Sequence, residues 1–170
     1  MRPAPHLSLP VGVLVERRPA TSPWIDHVFT PAAALPGEAE AQPWSVVTQE
    51  GDVVTFFVGT ATVALYVSET GNYRDNLASG EPKLWVVLRP TGVDPPYDLL
   101  AVTADPSEGE GFAGGDDLVE PVPMPPSIYD AIADFVAEHH VERTFFKRAR
   151  DRADPEALSR KPPAGHPKRE

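Results

Sequence analysis

The sequence predicts an α+β fold: a strongly curved antiparallel sheet, or a partly open barrel, with one C-terminal helix lying against it. Three observations predict it. Short apolar runs along Leu9–Glu16, Val53–Val58, Thr62–Val67 and Leu84–Leu88 have the alternation or the β-branched and aromatic content of strands with one buried side. The connections between the runs are short, which favours antiparallel neighbours over crossovers. A single late segment, starting near Ser127, carries apolar residues at helical spacing.

Taken in order, the Pro-rich Met1–Ser8 reads as a loose end. In the first strand Leu9, Val11, Val13 and Val15 share one side, against Gly12, Leu14 and Glu16 on the other. Pro19 and Pro23 then exclude helix. Trp24–Leu35 is a second strand, in which Pro31 marks an edge or a bulge. Gly37–Pro43 is a loop and Trp44–Thr48 a short strand.

The centre of the chain is Val53–Pro90. Gly59 divides its first two apolar runs, the signal of a hairpin or a bulge. Ser68–Glu81 reads as a polar connection with turn chemistry at Gly71-Asn72 and Ser79-Gly80. Leu84–Leu88, bracketed by Pro82 and Pro90, puts Leu84, Val86 and Leu88 on one face and Trp85 and Val87 on the other. Trp85 is expected to be largely buried against the helix or an opposing strand. Tyr97–Thr103 is another strand, and Asp105–Asp117, acidic with four glycines, reads as a surface loop. In the helix, Ser127 and Asp130 resemble a capping box, and Ile128, Ile132, Phe135, Val136 and His139 form one face. The division is a loose end at 1–8, one α+β domain over 9–152 and a disordered basic tail at 153–170.

Charge narrows the function. Of 170 residues, Arg143–Glu170 holds nine of the 15 Lys and Arg against four of the 25 acids, a formal charge of +5. The rest of the chain carries −15. So acidic a body repels phosphates, which argues against nucleic acid as a partner. No run approaches the ~20 apolar residues of a membrane helix, so no membrane partner is expected. Leu7–Val15 is followed at once by Glu16, Arg17 and Arg18 where a signal peptide has small residues, which makes a cytoplasmic location the expectation. With no cysteine, disulfides and thiolate chemistry are excluded.

Site motifs are sparse. Gly109–Gly115 is flanked by Glu108, Glu110, Asp116 and Asp117, which oppose a phosphate. His139-His140 are adjacent, so on a helix they point roughly 100° apart and do not readily share an ion. No metal and no cofactor is assigned, and no catalytic residue. The binding candidates are Arg17, Arg18, Trp24, Glu69, Tyr73, Asn76 and Arg89, with Glu69 and Arg89 placed to meet across a sheet end and Trp24 or Tyr73 as a flat wall. The competing reading is an ion pair beside a turn-capping Asn. The basic segment with Arg143, Phe145, Phe146, Lys147, Arg148 and Arg150 is the candidate partner contact, because aromatics ringed by Arg resemble a binding hot spot. Packing of that segment on the acidic body is its alternative.

Four segments carry a family resemblance: Val11–Gly37, ETGNYRDNL at Glu69–Leu77, WVVLRP at Trp85–Pro90, and Asp134–Arg150. In order and over about Leu9–Arg152, they resemble an uncharacterised proteobacterial family, the domain of unknown function numbered three-three-zero-five. The resemblance implies a gene setting beside molybdenum-containing formate dehydrogenases. It therefore implies a non-catalytic accessory protein that assists assembly or operation of such an enzyme by binding a partner or cofactor. The alternatives it leaves are an enzyme or carrier for a molybdopterin-type cofactor, and a structural subunit of the dehydrogenase. A nucleotidyltransferase of molybdopterin-guanine dinucleotide synthesis needs a Gly-rich, cation-bearing N-terminal loop, and Val11–Pro19 has a single glycine.

Overall fold

The computed structural model describes residues 2–141. Strands β1 (Leu7–Pro19), β2 (His27–Pro36), β3 (Ser45–Glu50) and β4 (Val53–Leu65) form one antiparallel sheet in the order β2-β1-β4-β3. Strands β5 (Lys83–Pro90), β6 (Tyr97–Thr103) and β7 (Leu118–Pro123) form a second, in the order β6-β5-β7. Helices α1 (Thr70–Ala78), α2 (Pro106–Phe112) and α3 (Pro126–His139) complete the fold. The sheets approach each other where β4 meets β6 and β2 meets β7, yet no ladder joins them. The fold is α+β, and the barrel is not closed.

Strand alternation builds the core. Val11, Val13 and Val15 of β1 are fully buried, as are Leu84, Val86 and Leu88 of β5. Each such side chain contributes about 1.5–3 kcal/mol by leaving water. Ile128, Ile132 and Phe135 bring the apolar face of α3 onto the same cluster. β1 begins at Leu7, two residues ahead of the sequence expectation, and His6 N–H already donates to Leu65 O at 2.8 Å.

Two irregularities expected from sequence are bulges. Opposite β1, Gly59 pairs with Val13 and Phe57 with Leu14, which leaves Val58 as an extra residue in one unbroken strand. Gly59 has φ +140°, backbone that a side chain resists, so the hairpin alternative fails and the bulge holds. Likewise Ala33 pairs with Leu14 and Pro31 with Val15, so β2 bulges at Ala32 beside the proline. The second strand starts at His27 rather than Trp24, and Trp24 and Ile25 are exposed.

Two connections are helices. Ser68–Glu81 contains α1, whose buried residues Thr70, Tyr73 and Asn76 recur every third position, but only Tyr73 is apolar. Asp105–Asp117 contains α2, although Gly109 and Gly111 are poor helix formers. Asp105 starts it: its Oδ1 accepts from Ser107 N–H at 2.9 Å and Glu108 N–H at 3.4 Å. Trp85 is half-buried, and it is α2 that covers it rather than α3. At α3 the first turn begins at Pro126, with Pro125 at the cap and no side-chain cap bond, so the Ser127 capping box does not form.

Candidate functional site

The alternation that buries Val11, Val13 and Val15 points the next residue of that parity, Arg17, inward at the end of β1. Glu16 and Arg18 share the opposite face and pair with each other, Arg18 Nη2 to Glu16 Oε2 at 3.0 Å. The one acid in the Glu16-Arg17-Arg18 triplet is thereby taken by Arg18. Arg17 Nε is buried and has no hydrogen-bond partner among the described residues. An unmet buried donor is costly, all the more on a charged group.

Aromatic rings surround it. Phe29 lies directly across the ladder from Arg17 on β2, and Phe56 lies diagonally on β4, its ring centroid 5.2 Å from the guanidinium carbon. Trp44 precedes β3 and packs tilted against Phe56 at 5.4 Å and edge-on to Phe29 at 5.9 Å. It reaches the second sheet, donating Nε1–H to Tyr97 O at 3.0 Å, while Phe29 packs edge-on to Tyr97 at 5.6 Å. Arg17, Phe29, Trp44 and Phe56, with Asp94, Pro95 and Pro96, line a cavity of ≈ 310 Å³, at the small end of ligand sites.

Trp44 adopts φ +67°, the left-handed region, and is the only non-glycine among the described residues to do so. For a bulky side chain that conformation costs about 1–2 kcal/mol. Its N–H bond to Phe57 O at 2.6 Å and its indole bond to Tyr97 hold it there, so the indole is aimed into the pocket wall.

The other sequence candidates separate. Arg89 Nε and Nη2 bind Asp117 at 3.0 and 3.1 Å, not Glu69. That bond holds the Asp117 carboxyl below the usual carboxylate range and the Arg89 pKa above its ordinary value. Glu69 instead accepts from Asn72 and Ser68. Tyr73 is not a wall: it is buried, its hydroxyl accepts from Tyr66 N–H at 3.0 Å, and burial pushes its pKa up to about 12. Asn76 is also internal. It donates to Lys83 O at 2.8 Å and Ala104 O at 2.9 Å and accepts from Lys83 N–H at 3.0 Å, tying α1 to β5 and to the end of β6. Trp24 is 90 % exposed and does not line Arg17's cavity. Arg143, Phe145, Phe146, Lys147, Arg148 and Arg150 lie outside the described residues.

A larger hollow of ≈ 560 Å³ lies beside Thr70, Gly71, His139 and His140. Its polar groups have partners: Thr70 donates to Val67 O at 3.2 Å, and His140 bonds Thr70 and Arg74, each at 3.0 Å. Among the described residues no cluster of His, Asp and Glu could hold a metal ion, and no helix is long and apolar enough to cross a membrane.

Sequence reasoning singled out Arg17 but missed Phe29, Trp44 and Phe56. A signal for the inward arginine was present in the shared parity of positions 11, 13, 15 and 17. The rings were hidden because they come from three separate segments.

The fold and its pocket define a small α+β domain, with an aromatic-walled arginine where two antiparallel sheets face each other. The chain belongs to the family described as Protein of unknown function (DUF3305), whose model matches residues 10–150. No curated protein and no solved structure matches it.

Proposed function

We propose that this chain is a non-catalytic accessory protein of a molybdenum formate dehydrogenase, binding a partner or cofactor of that enzyme at the Arg17 pocket. The single observation that carries the binding role is the buried Nε of Arg17, without a partner among the described residues and between aromatic walls. The dehydrogenase is supported by the resemblance and the gene setting it implies. The basic segment Arg143–Arg152 is the second proposed contact, its charge opposite to that of the body.

The test is co-purification with a tagged dehydrogenase, followed by release of bound pterin for fluorescence. A stoichiometric partner without pterin, lost on Arg17→Glu or on reversal of Lys147, Arg148 and Arg150, supports the accessory role. The rings beside Arg17 favour a second reading, a carrier for a planar molybdopterin-type cofactor. Pterin without a partner selects that reading.

A further inference from the structure

We infer that the Arg17 pocket is a carboxylate site, taking one carboxylate attached to an apolar group and discriminating against phosphate. This rests on reading the pocket as the chain's binding site. The guanidinium presents Nε and an Nη along one edge, the fork that matches the two oxygens of an oxyanion side-on. An acceptor at that edge satisfies the donor that the described residues leave unmet, once the side chain turns its buried Nε toward the cavity. The Arg17 guanidinium carbon lies over the Phe56 ring, which leaves the guanidinium nitrogens to meet an oxyanion. Phe29, Trp44, Phe56, Pro95 and Pro96 then offer apolar contact to whatever carries the carboxylate.

Charge separates carboxylate from phosphate. Asp94 lines the same cavity, and the chain outside Arg143–Glu170 carries −15, so a phosphate dianion meets twice the repulsion with one guanidinium to answer it. Size agrees: ≈ 310 Å³ suits a single ring or side chain more than a nucleotide. Two sources share this chemistry, a free small carboxylic acid and an acidic side chain of a partner peptide.

The experiment follows the Arg17 Nε–H resonance of the ¹⁵N-labelled full chain during titration with benzoate, with a capped tripeptide bearing one central aspartate, and with inorganic phosphate. Saturable shifts with a carboxylate and none with phosphate at equal concentration are expected, and the tighter of the two carboxylates identifies the source. Arg17→Lys keeps the charge but removes Nε; it is expected to weaken benzoate about tenfold or more at unchanged melting temperature. Asp94→Asn, a surface change, is expected to tighten benzoate. Phosphate binding as tight as benzoate, or undiminished benzoate binding by Arg17→Lys, overturns the inference. The two readings fail separately. No benzoate binding, with co-purification still lost in Arg17→Lys, overturns the carboxylate class and spares the accessory role. Benzoate binding with co-purification indifferent to Arg17→Lys upholds the carboxylate site and removes it from that role.

Discussion

Gly109 of α2 sits directly on Trp85 of β5: a Cβ at position 109 would lie 2.6 Å from Trp85 Cγ. The helix can approach the strand this closely only because residue 109 has no side chain. Gly109→Ala therefore sets two effects against each other. Helix propensity improves by about 1 kcal/mol, while forcing a methyl into packed atoms costs about 1–3 kcal/mol or more. Three atoms of Trp85 lie within 2.9 Å of that Cβ, so the clash wins. A lowered urea midpoint is expected, and Gly109→Ala should cost less in a Trp85→Ala background, which removes the Cγ and Cδ1 it strikes; a raised midpoint in the single variant contradicts the packing.

Asn76 gives the second prediction. Truncation to Ala leaves Lys83 N–H and the carbonyls of Lys83 and Ala104 without their partner in a buried setting. The expected loss is about 2–3 kcal/mol by denaturant unfolding. Asn76→Asp is expected to be worse at neutral pH, because a carboxylate faces two carbonyl oxygens. Equal stability of Asn76→Ala and wild type would remove the amide from its structural role.

Tyr73 ties stability to alkaline pH. Burial raises its pKa from the ordinary 10.0 to about 12, opposed in part by the Tyr66 N–H bond. The protonated form is favoured in the folded state, so its contribution is fully present below pH 10 and lost as pH rises toward 12. Tyr73→Phe should flatten that part of the stability profile, at a constant cost from the unmet Tyr66 N–H. An unaltered alkaline slope in the variant sinks the assignment.

Arg89 and Asp117 give the converse case, a surface pair in which the arginine is exposed and the aspartate half-buried. Asp117's pKa is lowered in the folded state, so the pair's contribution is present above the ordinary carboxylate range and fades as pH falls. A double-mutant cycle should find a small coupling between these two that disappears in molar salt, and none between Glu69 and Arg89. Coupling of Glu69 with Arg89 would contradict the geometry.

Most strands and α3 were legible because their burial follows alternation or helical spacing of Val, Leu, Ile and Phe; β7 was not, because Pro121 and Pro123 interrupt its pattern. Helix α1 was not, because its inward face is Thr70, Tyr73 and Asn76; two of the three are polar and satisfied by bonds that only the folded chain supplies. Helix α2 was hidden by its glycines, one of which is there for Trp85 rather than for the helix. At the candidate site, the expected strand ended at Glu16, so the parity that turns Arg17 inward was not extended to it, while its lack of a carboxylate partner among the described residues follows from Glu16 and Arg18 sharing the other face. The closure of the rings around it depends on the left-handed turn at Trp44, which no local pattern announces.

The reach of the Asn76 side chain also bears on the order of assembly. Its partners are Lys83, seven residues along, and Ala104, twenty-eight residues along and beyond the β5–β6 hairpin. The second bond cannot close until that hairpin has paired, so it belongs on the native side of the folding barrier. Asn76→Ala should then leave the refolding arm of a chevron nearly fixed and speed the unfolding arm, the behaviour of a low-φ position. The amide acts as a latch on a domain already assembled, and its energy sets how long the native state lasts more than how quickly it is reached.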